Sequence, residues 1–330
     1  MTAARIRTMI HPLRRSLALA AAALALAACS KSDKPEKIAL DWAYYNPLSL
    51  LLKERRYLEE DLGKDGIKVE WVQSLGSNKA LELLNSRSVD FGSTAGAAAL
   101  LARANGNPVK AVYVYSKPEW TALVTSPSSP IHAIADLKGR KIAVTRGTDP
   151  HIFLLRALDS AGLTERDVEI VPLQHPDGRL ALERGDVEAW SGLDPMMAAT
   201  ELEKGSRLFF RNADWNTYGV LDVRDDFAKR YPQYVERVIA AYERVRREAL
   251  ANPEAVREIL AREAKLSEPV SRAVMARTDL THPVLGPDQR ASIVAAGAVL
   301  KKSGVVRPDT DVEAVATALL DPQYEQKVLK

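Results

Sequence analysis

The chain of 330 residues is poor in cysteine, with Cys29 as its only one. A single cysteine excludes an intramolecular disulfide and any site that needs two cysteine ligands. Aromatic residues make up only 6% of the chain, and 46 basic against 43 acidic residues give a formal net charge of +3. This near balance of charge gives no reason to expect nucleic acid as a partner.

Metal-binding and catalytic patterns are also lacking. The chain has five histidines, and His132, His175 and His282 show no metal-ligand spacing to one another or to acidic residues. No nucleophile stands in a recognisable relation to a base. The sequence therefore predicts no metal, no other cofactor and a protein that is not an enzyme.

The N-terminus has the pattern of a signal peptide. Four arginines lie within the first 15 residues, and an unbroken apolar run follows over residues 17–28. The run is too short to span a bilayer as a stable helix, and it ends in small residues directly before Cys29, which resembles a bacterial lipobox. We expect residues 1–28 to be removed, Cys29 to be lipidated, and residues 29–37 to form a polar tether.

Residues 38–118 alternate short strands with helices. Apolar or alternating stretches over 38–42, 67–72, 89–92 and 109–115 predict strands, and helical spacing of Leu and Ala predicts helices between them. Such an order predicts a parallel-rich sheet with helices on both faces. Ligands bind to such sheets at the carboxyl ends of the strands.

The pattern restarts near residue 121 and includes a strand, turn and helix over residues 139–157. The turn contains Gly147, Thr148 and Asp149, and a helix is predicted to begin at Pro150, since Asp or Thr before a Pro is a helix start signal. Backbone N–H groups and the positive end of the helix dipole make this turn a candidate anion cradle. The alternative is an ordinary connection between a strand and a helix.

Beyond residue 225 the pattern is almost entirely helical, and this block must pack on one of the two lobes, most simply the first. The chain would then cross between lobes twice, which allows the lobes to close on a ligand. We therefore predict an α/β fold of two lobes with the ligand cleft between them. Lobe 1 is predicted from residues 38–118 plus 220–330, and lobe 2 from 119–219.

Several motifs together resemble a bacterial ABC-transporter substrate-binding protein of the aliphatic-sulfonate, nitrate and taurine group, over about residues 37–325. The segments that carry the resemblance are GSNKAL at 76–81, SVDFGST at 88–94, ADLKG and KIAV within 135–144, GT at 147–148, and GDVEAW with DP within 185–195.

The resemblance implies a type II periplasmic-binding-protein fold and a receptor that does no chemistry itself. Its implied ligand is a small anion, an aliphatic sulfonate, taken up for sulfur metabolism. Its implied partners are a membrane permease and the ATPase that drives it. We expect a monomer in the periplasm or cell envelope that touches the membrane through its lipid anchor only.

The stretch from Asp41 to Pro47 departs from the group, because many sulfonate binders carry Gly, Tyr and Gln after the first strand. Its Asp41-Trp42 start is similar to the branch that binds thiamine-pyrimidine precursors. Taurine, nitrate or such a precursor therefore stays open as the ligand. An enzyme of the same fold makes that pyrimidine, but its family carries a cysteine-rich segment that Cys29 alone cannot supply.

A sulfonate carries no proton near neutral pH and needs hydrogen-bond donors only. Each candidate contact has a structural alternative, which is helix capping for the polar residues and core packing for the aromatic ones. The candidate donors at strand ends and helix starts are Asn46, Gly76, Ser77, Asn78, Ser93, Thr94, Gly147, Thr148 and His151. The candidate apolar wall comprises Tyr44, Tyr45, Trp120 and Trp190. Asp149 and Asp194 would favour a ligand with an amino group if they face the cleft.

Overall fold

The computed structural model describes residues 34–329. The predicted signal peptide, Cys29 and most of the predicted tether lie outside these residues. All elements given below belong to one compact unit, Glu36–Lys330. Within the described residues, no helix is both long and apolar enough to pass through a membrane.

The strands are short and fall into two sheets. In chain order they are β1 (Lys37–Trp42), β2 (Lys68–Gln73), β3 (Phe91–Ala95), β4 (Val109–Pro118), β5 (Ala122–Thr125), β6 (Lys141–Val144), β7 (Glu169–Pro172), β8 (Ala189–Ser191), β9 (Arg207–Arg211), β10 (Gly219–Arg224) and β11 (Thr278–Asp279).

Helices connect these strands and make up most of the chain after β10. They are α1 (Pro47–Arg55), α2 (Tyr57–Leu62), α3 (Ser77–Asn85), α4 (Gly96–Ala104), α5 (Asp149–Ser160), α6 (His175–Arg184), α7 (Met196–Lys204), α8 (Asp225–Arg230), α9 (Pro232–Ala251), α10 (Pro253–Ala264), α11 (Glu268–Ala276), α12 (Pro287–Lys302), α13 (Val312–Leu319) and α14 (Glu325–Val328).

The first sheet has six strands in the order β11-β4-β10-β3-β1-β2, and we call the part of the fold that carries it lobe 1. Strand β1 is parallel to β2 and β3, whereas β10 is antiparallel to β3 and β4. The strand that returns from the second sheet therefore separates β3 from β4. The predicted sheet is parallel around β1 and mixed beyond β3.

The second sheet has five strands in the order β7-β6-β8-β5-β9, and it defines lobe 2. Strand β6 is parallel to β7 and β8, and β5 is antiparallel to β8 and β9. Because β6 and β8 are parallel neighbours, their carboxyl ends lie at the same edge of the sheet. The two sheets and their helices confirm the predicted two-lobed α/β fold.

The C-terminal helices pack on lobe 1, as their apolar pattern requires. Helices α9 and α10 lie against α1, and α12 and α13 lie against α4. The apolar stripe of α9 is buried, and Tyr242 on that stripe packs against Tyr113 of β4 with ring centroids 6.1 Å apart.

Helix α5 of lobe 2 also packs on lobe 1, through a small apolar cluster. This contact holds the start of α5 in a fixed position relative to α4, so the two lobes meet away from the cleft as well. The cluster contains Ala97 and Leu101 of α4, Ile152 and Leu155 of α5, and Ala296 and Leu300 of α12.

Candidate ligand site between the lobes

Three helix N-termini meet where the lobes face each other. They are the starts of α3 in lobe 1 and of α5 and α6 in lobe 2. A Cβ placed on Gly76 would lie 3.0 Å from Nε2 of His175, and one placed on Gly147 would lie 3.9 Å from Cβ of Asn78. The first N–H groups of a helix have no partner within the helix and carry its positive dipole end. Their convergence therefore makes a candidate anion site.

The start of α3 keeps several donors free. Gly76 caps the helix without a side chain, and its carbonyl oxygen accepts from the N–H groups of Lys79 and Ala80 at 3.0 and 3.1 Å. The N–H groups of Ser77 and Asn78 have no helical carbonyl one turn earlier. Oγ of Ser77 accepts from the N–H of Ala95 at 3.0 Å, which leaves the Ser77 hydroxyl proton available to a ligand.

The turn before α5 presents backbone rather than side-chain donors. Gly147 has φ of 76°, a left-handed conformation that favours glycine. The Thr148 hydroxyl donates to the carbonyl oxygen of Thr145 at 2.6 Å. Its proton therefore stabilises the turn, and Thr148 offers its N–H to the cleft.

His151 lies in the first turn of α5 and is buried. Its Nε2 is 3.0 Å from Oε1 of Glu165, and the hydrogen bond from His151 is the main cause that lowers the pKa of Glu165. Its Nδ1 accepts from the N–H of Gly147 at 3.5 Å. His151 thus stabilises the Gly147 turn by accepting this hydrogen bond.

Ser93 and Asn46 belong to a buried network around the carboxylate of Asp41. Oγ of Ser93 donates to Oδ1 of Asp41 and accepts from Nδ2 of Asn46, both at 2.8 Å. Burial raises the pKa of Asp41 to about 6, although hydrogen bonds from Ser74 and Ser93 oppose the shift. The Ser93 hydroxyl and the Asn46 amide therefore make bonds inside lobe 1.

The Thr94 hydroxyl also makes its hydrogen bond inside lobe 1, because it donates to Oδ2 of Asp222 at 2.6 Å. Asp222 lies on the central strand β10, and its Oδ1 has no hydrogen-bond partner among the described residues. Burial raises the pKa of Asp222 to about 7, and the nearby charge of Asp41 adds to the rise. The sequence signal for Asp222 is an acid within the apolar stretch of residues 219–223.

Tyr44 and Tyr45 line a cavity of about 220 Å³ between the lobes. Tyr45 donates to the carbonyl oxygen of Ser93 at 2.8 Å, and Tyr44 donates to that of Glu263 at 3.0 Å, so both rings are held in place. The lining is mainly apolar. Its other residues are Ser74, Leu75, Ala264 and Leu266 of lobe 1 and Pro176, Arg179, Pro195 and Met196 of lobe 2.

Asp149 and Trp120 join the lobes instead of lining this cavity. The buried carboxylate of Asp149 accepts from Nε1 of Trp120 at 2.8 Å, and from the N–H and hydroxyl of Thr217 at 2.9 and 2.7 Å. Burial raises the pKa of Asp149, and these hydrogen bonds oppose the shift. Trp120 also packs edge-on against Tyr45, with ring centroids 6.1 Å apart.

Trp190 and Asp194 lie in structural positions within lobe 2. Trp190 is fully buried in the core, where a Cβ on Gly178 would lie 2.7 Å from its Nε1. Oδ1 of Asp194 accepts from the N–H of Ala198 at 2.9 Å, and Oδ2 lies 3.5 Å from Nη1 of Arg277. Burial raises the pKa of Asp194 to about 6, and Arg277 opposes the shift.

The structure thus brings one group of the sequence candidates to the cleft and gives the others internal partners. His175 and Arg179 also lie where the lobes meet, and the sequence pattern predicts neither of them as a ligand contact. The sequence signal for this helix start is Pro176, the second residue of α6. It marks a helix that begins after a strand, as Pro150 does in α5. At the cleft are Tyr44, Tyr45, Gly76, Ser77, Asn78, Gly147 and the backbone of Thr148. Bonded or buried elsewhere are Asn46, Ser93, Thr94, Trp120, Asp149, His151, Trp190 and Asp194.

Two α/β lobes with facing helix starts define the class of periplasmic-binding-protein folds. The alkanesulfonate-binding protein SsuA from Xanthomonas axonopodis pv. citri, solved bound to MOPS, has this architecture, with a TM-score of 0.78 and 23% identity over 87% of this chain and 99% of that one. The NMT1/THI5-like family model matches residues 59–256, and the chain belongs to this family.

The chain is also similar to a protein of Escherichia coli (strain K12) named as an aliphatic sulfonates-binding protein. The two are 32% identical over 218 residues, which cover 65% of this chain and 67% of that protein. These findings confirm the predicted family. The desulfurization enzyme DSZB shares the fold with a TM-score of 0.64 and 17% identity over 89% of this chain and 99% of that one. The fold alone therefore does not decide between binding and catalysis.

Gly76→Ala should weaken ligand binding without weakening the fold. The backbone of Gly76 is extended, so alanine is not strained there, but its Cβ would meet Oδ1 of Asn78 at 2.9 Å and the His175 ring at 3.0 Å. Because the His175 ring belongs to the other lobe, the clash opposes closure, and we expect a loss of about tenfold in affinity. Titration calorimetry and urea unfolding measure the two effects.

The matched control for Gly76→Ala is Gly63→Ala, because a Cβ there meets no atom within 4 Å. This variant should bind as the wild type does. Equal affinities for the Gly76 and Gly63 variants would mean that the contact between Gly76 and His175 does not limit closure.

Asp222→Asn should change the pH dependence of stability. The folded chain keeps the Asp222 proton up to a pKa of about 7, whereas an unfolded aspartate loses it near pH 4. The stability from this group is therefore full below about pH 4 and is lost as the pH rises through about 7. The unfolding free energy of the wild type should therefore decrease between pH 5 and 8. In the variant we expect this decrease to be smaller by about 2–4 kcal/mol.

Urea unfolding at the two pH values checks this expectation, with Asp159→Asn on the outside of α5 as the control. The side chain of Asp159 is 40% exposed and pairs with Lys302 on the surface. A pH dependence that is the same in the Asp222 variant as in the wild type would contradict the expectation.

Proposed function

We propose that this chain is the extracytoplasmic solute-binding component of an ABC importer, and that its lobes close on an aliphatic sulfonate for sulfur uptake. The observation that carries the proposal is the meeting of the α3 and α5 helix starts, from opposite lobes, beside an apolar cavity. The likeness to named aliphatic sulfonate binders supports it. In this role the chain binds its ligand and leaves it chemically unchanged.

The head group is proposed to bind at the helix starts. A sulfonate has three oxygen atoms and no proton to donate, so it matches a site built from N–H groups and one hydroxyl. The donors available there are the N–H groups of Ser77, Asn78 and Thr148, and the hydroxyl of Ser77. Contacts from both lobes to one anion would favour the closed arrangement.

The alkyl chain is proposed to lie in the cavity against Tyr44 and Tyr45. The volume of about 220 Å³ suits a short chain, and its mainly apolar lining rewards the burial of methylene groups. Nitrate, one of the alternatives from the sequence, would leave this cavity unfilled. Taurine would bring an ammonium group to the cleft, but the carboxylates of Asp149 and Asp194 lie outside it. Asp149 is hydrogen-bonded to Thr217, and Oδ2 of Asp194 lies 3.5 Å from Nη1 of Arg277.

The proposed location is the periplasm or cell envelope, with a lipid on Cys29 that holds the chain at the membrane. Support comes from the lipobox-like sequence and from relatives described as periplasmic. A permease and its ATPase are the proposed partners, and the proposed receptor is a monomer. The membrane contact is proposed to run through the lipid alone.

Ethanesulfonate should raise the melting temperature of the mature chain, whereas ethyl methyl sulfone, which lacks the charge, should not. A ligand at a hundred times its dissociation constant adds about 2.7 kcal/mol of stability. Ser77→Ala should weaken ethanesulfonate binding about fivefold, because one hydrogen bond is worth about 1 kcal/mol. Ser86→Ala at the other end of α3 is the control and should have no effect.

The outcomes of this screen separate the ligand alternatives. A shift with taurine, nitrate or an aminopyrimidine but with no alkanesulfonate would replace the proposed ligand. Product formed from any of these compounds, detected by mass spectrometry, would overturn the role as a binding protein.

Cys29→Ala should release the protein from membranes into the soluble fraction when it is expressed in a Gram-negative host. The physical reason is that stable membrane attachment would depend on the lipid at this position. Fractionation and labelling with a radioactive fatty acid measure the effect, and Ser30→Ala is the matched control. Equal membrane attachment of the Cys29 variant and the wild type would contradict the proposed anchor.

A further inference from the structure

His175 is a buried side chain at the meeting of the lobes. It is the first residue of α6 and is 0% exposed. A Cβ on Gly76 of lobe 1 would lie 3.0 Å from both its Cδ2 and its Nε2. Nε2 has no hydrogen-bond partner among the described residues. A buried nitrogen without a partner is costly, so this position favours a ligand that supplies one.

The hydrogen bonds of Thr145 fix which ring nitrogen of His175 carries the proton. The Thr145 hydroxyl has one proton and lies 2.7 Å from the carbonyl oxygen of Leu173, which can only accept. The same hydroxyl lies 3.1 Å from Nδ1 of His175, so it accepts there and Nδ1 is the donor. In a neutral ring Nε2 is then the acceptor.

The surroundings of His175 keep the ring neutral. Burial lowers the pKa of His175 to about 3, and no ionised side chain contributes to the shift. Gly76 and Asn78 at the start of α3 and Thr145 after β6 lie close to the ring, and none of them is charged. A neutral Nε2 repels a sulfonate oxygen and attracts an N–H or O–H group.

A hydroxyl group fits this acceptor better than an ammonium group. Oδ1 of Asn78 is a second buried acceptor without a hydrogen-bond partner among the described residues. A Cβ placed on Gly76 would lie 2.9 Å from this oxygen and 3.0 Å from the His175 ring, so the two acceptors are close together. The two acceptors near Gly76 carry no negative charge to balance a buried ammonium. Neutral donors avoid this cost.

We propose that Nε2 of His175 accepts a hydrogen bond from a hydroxyl group on the ligand, which makes short hydroxyalkanesulfonates the preferred ligands. His175 is then a specificity-determining residue. The inference rests on the proposed function, because it assumes that a sulfonate binds at the starts of α3 and α5.

The test compares 2-hydroxyethanesulfonate with ethanesulfonate by titration calorimetry on the mature chain. The wild type should bind the hydroxylated compound about tenfold more tightly, as expected for a donor that meets a buried acceptor. In His175→Leu this preference should vanish, so that the two compounds bind with affinities within about threefold of each other. His175→Gln, whose amide oxygen can accept, should restore part of the preference, and His282→Leu on the surface should keep all of it.

Two results would overturn the inference while the proposed function stands. One is a wild type that binds both compounds equally, and the other is a preference that persists in His175→Leu. If no alkanesulfonate binds at all, the proposed function itself is wrong. Should the Leu variant fail to fold, ¹⁵N NMR of the wild type decides, because Nε2 must lack a proton in the complex with 2-hydroxyethanesulfonate, and a protonated Nε2 there would refute the inference.

Discussion

The arrangement of the two lobes depends on the buried carboxylate of Asp149. It stands at the start of α5 and accepts hydrogen bonds from Trp120 and Thr217, which lie on the two segments that connect the lobes. One side chain therefore fixes a helix of lobe 2 to both connections. The Gly147 turn immediately precedes this helix. The hydrogen bonds of Asp149 to Trp120 and Thr217 therefore also fix the backbone donors of the turn.

Buried carboxylates also decide which polar groups remain free for a ligand. Asp41 and Asp222 accept hydrogen bonds from the Ser93 and Thr94 hydroxyls, and these bonds reduce the cost of burying the two acids. What remains at the cleft is mostly backbone N–H at helix starts. A site of this kind is rigid, because its donors are fixed by the helices that carry them.

The order of strands and helices could be predicted from sequence because each element has its own periodicity and its own start signals. The helix start at Gly76–Asn78 could be predicted for the same reason, since its signal lies within a few neighbouring residues. The hydrogen-bond partners of Thr94 and Trp120 are not visible in local sequence, because Asp222 and Asp149 lie 128 and 29 residues away along the chain. The insertion of β10 between β3 and β4 is likewise a tertiary result that local patterns do not contain.

This insertion determines when lobe 1 can be completed during synthesis. Residues 122–211 supply every strand of the second sheet without a break, so that sheet can assemble from one continuous piece of nascent chain. The first sheet lacks its central strand until residues 219–224 have been made. While the hundred or so residues after residue 118 are added, β3 is therefore unpaired along one edge, and β4 lacks the neighbouring strand on both edges.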